Sequence, residues 1–207
     1  MKKFFCIMPM QTPEGLHYEA VGNNRLETHG PTDYPIFCAI AGYTEQGDTI
    51  RVITLATKHP HSEENIARFQ KGLAELCVEK QITCPQGLEL IWINEDERVA
   101  THAHTFQRLI DYVEDNDELF ACMTYGTKPT SMSLMMAVQY AYRILHNVSI
   151  ECIVYGHVSR PDQKDRSTWI GHIYDMTALV QLDEIVHLLA QRRDPNPKQT
   201  IDSLLSL

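Results

Sequence analysis

The chain has no long apolar run, no CxxC pair, no glycine-rich nucleotide fingerprint and no excess of positive charge. Nothing approaches the ~18 consecutive apolar residues that a membrane-spanning helix requires. Lys2 and Lys3 precede an apolar stretch that superficially suits a signal peptide, but that stretch is short and Pro9 cuts it. It reads instead as the first strand of a cytoplasmic protein. The six cysteines (Cys6, Cys38, Cys77, Cys84, Cys122, Cys152) are scattered, mostly inside apolar runs. There they behave as small buried hydrophobes, which implies a reducing compartment and argues against zinc. The net charge of -9 excludes a broad duplex nucleic-acid footprint, which rests on phosphate neutralisation by Lys and Arg. A focused site for a small polyanion survives that exclusion, because helix N-termini and backbone amides hold phosphates with little side-chain charge. No GxGxxG follows the first strand and no Walker motif occurs, which counts against an enzyme built around a common nucleotide cofactor. Internal repeats and low-complexity segments are lacking as well.

What remains is an ordinary globular composition, 43% hydrophobic and 22% charged over 207 residues, enough for one full core. The stretch 118–157 organises it. An apolar run at 119–123 has the length of a buried strand and breaks at Gly126 into the polar turn Thr127-Lys128-Pro129-Thr130-Ser131. Pro just inside a helix start, among hydroxyl residues, is an N-terminal signal. Leu134, Met135, Val138, Ala141, Tyr142 and Leu145 then form one apolar stripe, and a second strand at 150–155 ends at Gly156. Strand, hydroxyl loop, helix and strand make one βαβ unit.

Elsewhere, residues 2–8, 49–55, 88–93 and 170–176 read as strands. The turn-rich segment 16–31, with Gly22-Asn23-Asn24 as a reversal, allows a small hairpin. Residues 36–41 read as a short helix closed by Gly42, a strand being the competing assignment. A helix is preferred because the parallel strands on either side need a crossover. Ser62 is expected to cap a helix whose buried stripe is Ile66, Phe69, Leu73, Leu76 and Cys77. A further helix spans 101–114, with Phe106, Leu109, Ile110 and Val113 inward. The acidic run Asp111, Glu114, Asp115, Asp117, Glu118 reads as a solvated face. Residues 157–168 are polar and carry Arg160, Lys164 and Arg166. Thr177 starts a last long helix with Leu179, Leu182, Ile185, Val186 and Leu189 inward, stopped at 194–197. His59-x-His61 and His102-x-His104 have metal-like spacing without further ligands on the same element, so no metal site is expected.

This alternation predicts an α/β fold, a Rossmann-like doubly wound, mostly parallel sheet with helices on both faces. Ligands of such sheets bind beyond the carboxyl ends of the strands. That rule nominates the loops 9–12, 57–61, 94–98, 124–131 and 156–160.

Several stretches resemble the CRISPR-associated Rossmann-fold sensor domains, or CARF domains. One branch carries an Asp-x-Thr-His-Gly motif at the end of a central strand, before a helix and a strand closing on Tyr-Gly. The corresponding residues here are Cys122-Met123-Thr124-Tyr125-Gly126, then the helix, then Val154-Tyr155-Gly156. Thr and Gly match, while Cys122 and Tyr125 stand at the Asp and His positions. The first strand leading into Pro9-Met10-Gln11, and Tyr34-Pro35-Ile36 before the next strand, are also similar. A literal Thr28-His29-Gly30 has no apolar strand before it and reads as chance.

The resemblance covers residues 1–190 in pattern and implies a homodimer that binds a cyclic oligoadenylate, above all cyclic tetra-adenylate, in type III CRISPR defence. Residues 1–192 would form the ligand-binding domain. Residues 193–207 would be a linker or short helix, with the effector outside this chain. The ligand-binding residues expected are Pro9, Met10, Gln11 and Thr12; Thr124, Tyr125, Gly126, Thr127, Lys128, Thr130 and Ser131; and His157 and Arg160. Lys128 and the helix start at Thr130 suit phosphate, the hydroxyls donate hydrogen bonds, and Met10 or Tyr125 packs against adenine. No catalytic residue and no cofactor is assigned. The alternative is a metal-independent ring nuclease, in which the same loop aligns a ribose 2′-hydroxyl with the adjoining phosphate. Off the apolar stripe of the same helix, Met132, Met136, Tyr140 and Arg143 are candidates for a dimer contact.

Overall fold

Segments rich in Val, Ile, Phe and Cys suit a pleated surface buried on both sides, and they form the sheet. The computed structural model describes residues 1–13, 15–26 and 30–206. Its strands are β1 (Lys2–Ile7), β2 (Tyr18–Val21), β3 (Ile50–Thr57), β4 (Leu88–Ile93), β5 (Glu118–Cys122), β6 (Ser149–Ser159) and β7 (Ile170–Asp175). The helices are α1 (Ile36–Tyr43), α2 (Ser62–Lys80), α3 (Val99–Ile110), α4 (Lys128–Ile144), α5 (Thr177–Arg192) and α6 (Pro197–Leu205). One sheet runs in the order β2-β7-β6-β5-β1-β3-β4, and every neighbouring pair is parallel except β6–β7. The expected doubly wound α/β architecture is therefore present.

Strand periodicity of two distributes β1 between two cores. Phe4 and Cys6 face the layer of α1 and α2, where Ile36, Ile40, Phe69 and Leu73 are buried. Phe5 and Ile7 face the layer of α3, α4 and α5, with Leu109, Leu134, Val138 and Val180. Phe4 stacks on Phe120 of β5 with ring centroids 4.3 Å apart. Truncating either ring to Ala costs about 3–5 kcal/mol through lost burial and a cavity. No helix among the described residues is long and apolar enough to cross a membrane.

Several local expectations are corrected. The segment 16–31 is closed by one antiparallel bridge, Leu16 to Thr32, rather than by a hairpin of paired strands; β2 pairs in parallel with β7, and residues 24–26 make a 3-10 turn. Thr28 and His29 lie outside the described residues. Gly42 does not end α1. A Cβ there would come within 1.8 Å of the Arg25 carbonyl oxygen, so its glycine permits the 3-10 turn to pack against the helix. Ser62 is the first residue of α2 rather than its cap, and its hydroxyl donates to the His59 carbonyl (2.9 Å). Helix α3 stops at Ile110, and Val113 is buried in the turn beyond it. Asp117 is buried rather than solvated, because the Lys3 ammonium lies 2.7 Å away. Strand β6 does not end at Gly156. Pairing with β7, Gly156 to Ile173 and His157 to His172, carries it to Ser159. On α5 the buried residues are Thr177 and Val180, while Leu179 and Val186 are 61% and 47% exposed. Tyr142 likewise faces outward. Residues 197–205 form the short C-terminal helix α6, with no residue fully buried.

Candidate functional site

Strand order reverses at β1. From it the chain proceeds through β3 and β4 to one side, then returns to β5 and β6 on the other. Loops leaving the carboxyl ends of β1 and β5 diverge there and open a crevice, the usual ligand position in open α/β sheets. The crevice is a cavity of ≈370 Å³. Residues 9–13 after β1 and 124–127 after β5 form two walls; Leu16, Tyr18, Val158 and Arg160 close it.

Each wall is held in place from behind. The fully buried Asn65 of α2 donates to the carbonyls of Pro9 (2.8 Å) and Gln11 (3.1 Å), fastening the β1 loop. Thr124 Oγ1 accepts the Gly156 N–H (2.8 Å), tying the end of β5 to β6. Gly126 has φ +90°, and a Cβ on it would meet Ile7 Cγ2 at 2.6 Å. Only glycine turns the chain so close to β1 without strain. Thr127 caps α4, its hydroxyl accepting from the Thr130 N–H at 3.4 Å and lying 3.0 Å from the Thr130 hydroxyl. The same hydroxyl donates to the Glu97 carboxylate (3.3 Å), which sits beside the positive end of α4.

Tyr125 reaches across the crevice and donates to the Asp33 carbonyl (2.8 Å). Burial, with the Tyr18 phenol close by, holds its phenol well above the usual value; burial likewise pushes Tyr18 up to about 12. Both phenols stay neutral at working pH and serve as hydrogen-bonding groups. Burial also raises the Cys122 thiol, which is thus no nucleophile. No Asp, Glu, His or Cys is among the described residues lining the crevice. The chemistry available is hydrogen bonding, packing and cationic attraction.

A second cavity, also ≈370 Å³, shares Thr12, Pro13 and Leu16 with the first and adds Gly15, Arg68, Arg166 and Trp169. Arg160 stacks over the Trp169 ring at 4.7 Å and Arg166 at 5.6 Å from its centroid. Three arginines thus line the paired cavities, and no carboxylate does among the described residues. A larger groove of ≈750 Å³ runs along α1 and α2, shares Gly15 and Arg68 with the second cavity, and carries Asp33, Glu75 and Glu79 beside Lys71 and Lys80. Its mixed charge makes it the weaker candidate.

No protein-family model matches the chain, and no curated protein matches it either.

Of the residues expected at the site, Pro9, Met10, Gln11, Thr12, Thr124, Tyr125, Gly126, Thr127 and Arg160 converge on the crevice. Lys128, Thr130, Ser131 and His157 are not among its lining residues. Thr130 is buried against Thr127, Ser131 completes the first turn of α4, and Lys128 lies exposed at its start. His157 lies exposed on β6, at alternate parity to Val158. Of the other nominated loops, 94–98 touches the α4 cap through Glu97, whereas 57–61 does not enter the lining. His59 and His61 engage each other, the His61 N–H donating to His59 Nδ1 (3.1 Å). Among the described residues no group of three His, Cys, Asp or Glu is placed to hold a metal ion.

Sequence reasoning missed Asn65, Arg68, Tyr18 and Trp169. Asn65 had a signal, since it stands four residues before Phe69 and eight before Leu73, a polar residue on the buried face of α2. Arg68 and Trp169 carried none, because only the fold brings them together.

Proposed function

We propose that this chain is a sensor domain of the CARF type. On this reading two copies form an isologous dimer that binds a cyclic oligoadenylate, cyclic tetra-adenylate above all, and controls an effector of type III CRISPR antiviral defence in the cytoplasm. One observation carries the reading: in a chain of net charge -9, the described residues lining the switch-point cavities include three arginines and no carboxylate. Such a surface selects a small polyanion, not a nucleic-acid duplex.

Supporting features follow from the same geometry. The crevice supplies hydroxyls from Thr12, Thr124 and Thr127, and part of the Tyr125 ring. Thr127, which caps α4, lines the crevice, so the amide groups of that helix start stand at its rim, where they favour phosphate. A two-fold symmetric tetranucleotide ring suits an isologous dimer that offers the same loops to each half. No Asp, Glu, His or Cys is among the described crevice residues to act as general base, and the Tyr18 and Tyr125 phenols stay neutral, which favours binding over ring cleavage.

The test is calorimetric titration with cyclic tetra-adenylate, with chromatography of the ring after an hour. Tight binding of an intact ring at one ring per dimer is expected. Linear di-adenylate products would convert the sensor into a ring nuclease. Failure to bind any cyclic oligoadenylate overturns the reading.

A further inference from the structure

The wall of the crevice that follows β1 is fixed from within and left free on its outer side. Asn65, fully buried on α2, donates to the carbonyls of Pro9 (2.8 Å) and Gln11 (3.1 Å). Asn65 is steadied in turn by the Tyr34 hydroxyl, which donates to its carbonyl (2.8 Å). With the carbonyls of residues 9 and 11 drawn inward, the backbone of Met10 and Gln11 is set. The side chains of both are exposed, Met10 at 37%.

Most other polar groups of the crevice already serve the fold. Thr124 Oγ1 accepts the Gly156 N–H and lies 3.1 Å from the Cys122 sulfur. Thr127 caps α4 and donates to Glu97, and Tyr125 gives its one phenolic proton to the Asp33 carbonyl. Arg160 lies over the Trp169 ring and offers donors only. The Gln11 side chain, by contrast, makes no hydrogen bond among the described residues, where only its backbone carbonyl is engaged. It is also the one carboxamide among the described lining residues, so it alone presents a donor and an acceptor side by side in one plane.

Such a pair has a defined complement. The N6/N7 edge of adenine sets a donor next to an acceptor, and a Gln carboxamide meets both at once. The O6/N7 edge of guanine sets two acceptors there, one of which would face the carboxamide oxygen. A site built to hydrogen-bond one edge rejects the wrong one strongly, because its own polar group is then left unpaired.

We propose that Gln11 is the specificity-determining residue of the crevice: its carboxamide reads the N6/N7 edge of an adenine, and Met10 beside it gives the ring an apolar surface. The inference rests on the sensor reading above and deepens it, naming the group that makes the crevice an adenine site.

Because the Gln11 side chain is exposed and unbonded, Gln11→Leu should leave the melting temperature unchanged, which serves as the control for folding. Calorimetry then compares cyclic tetra-adenylate with the same ring built from 7-deaza-adenosine, which has C–H in place of N7 and keeps the N6 amino group. The parent protein is expected to bind the natural ring about ten-fold more tightly, or better. Gln11→Leu should bind the natural ring about as weakly as the parent binds the 7-deaza ring, and should no longer distinguish the two. A parent that binds both rings alike, or a Gln11→Leu protein that keeps the full preference, overturns the assignment and leaves the sensor reading standing. Should neither ring bind, the sensor reading fails. The 5′-phosphorylated adenylate dinucleotide and its 7-deaza counterpart then decide: a preference that Gln11→Leu abolishes supports Gln11 as the reader, and equal binding or none overturns it.

Discussion

The Lys3 ammonium and the Asp117 carboxylate form an ion pair at 2.7 Å, with Lys3 0% and Asp117 2% exposed. The ammonium also donates to the Tyr112 carbonyl and to Glu114, both at 2.9 Å. Asp117 in turn accepts the Glu114 N–H (2.7 Å), fixing the turn between α3 and β5. Removing Lys3 leaves the buried Asp117 carboxylate with only the N-terminal ammonium, 3.3 Å away, as a cationic partner among the described residues. Lys3→Met is expected to cost about 3–5 kcal/mol in urea unfolding, whereas Lys3→Met with Asp117→Leu should recover most of that loss. A single variant within about 1 kcal/mol of the parent would mean that the N-terminal ammonium, 3.3 Å from Asp117, or water compensates the carboxylate.

Thr124 joins the two strands that frame the crevice. Thr124→Val keeps the shape but leaves the buried Gly156 N–H without its acceptor, at an expected cost of about 1–3 kcal/mol. Thr124→Ser keeps the acceptor and should cost much less. Amide hydrogen exchange at Gly156 is the direct readout, and equal protection in the parent and the Val variant would refute the role.

The sheet was legible because apolar runs of strand length alternate with amphipathic helices, and each signal is local. So was the crest, since the carboxyl ends of parallel strands share one edge. What escaped depends on partners distant in sequence. Asp117 sits in an acidic run that reads as surface, and only the β1–β5 register brings Lys3 beside it. Strand β6 continues past Gly156 because β7 supplies its ladder, which a one-strand pattern does not contain. Arg68 and Trp169 stand 101 residues apart and meet only at the cavity. Lys128 and His157 illustrate the converse: proximity in sequence to the crest does not place a side chain on the crevice lining.

Acid sensitivity follows from the carboxylates at the opposite edge of the sheet. Lys2 lies 2.6 Å from Asp48, and this hydrogen bond, with the Glu45 N–H, lowers the Asp48 carboxyl below its ordinary 3.8. Hydrogen bonding to Lys3 lowers Glu114 below 4.5. A carboxyl depressed by folding contributes stability that is complete above its unfolded value and lost as pH falls through its folded value. The melting temperature is therefore expected to hold down to about pH 4.5 and to fall steadily below it. Asp48→Asn should lower stability at neutral pH and flatten the acid limb. A parallel, equally steep limb in that variant would remove Asp48 from the cause.

The proposed sensor reading calls for a two-fold protein, and the exposed apolar side chains of α4 and α5 are the surface on which to test it. Arg143 of α4 binds Asp183 and Glu184 of α5, both at 2.6 Å, and Gln139 adds a bond to Asp183, which ties the two helices together. On these helices Met132, Met136 and Leu179 are 63%, 50% and 61% exposed. Tyr140 packs edge-on against Phe106 instead. Met136→Glu with Leu179→Glu should convert a dimer into a monomer by sedimentation velocity while sparing the melting temperature, since neither side chain is buried in the core. On the proposed sensor reading, affinity for cyclic tetra-adenylate should fall in step, because a monomer would meet only half of the ring. A variant that stays dimeric and binds as tightly as the parent would place the two-fold axis on another face.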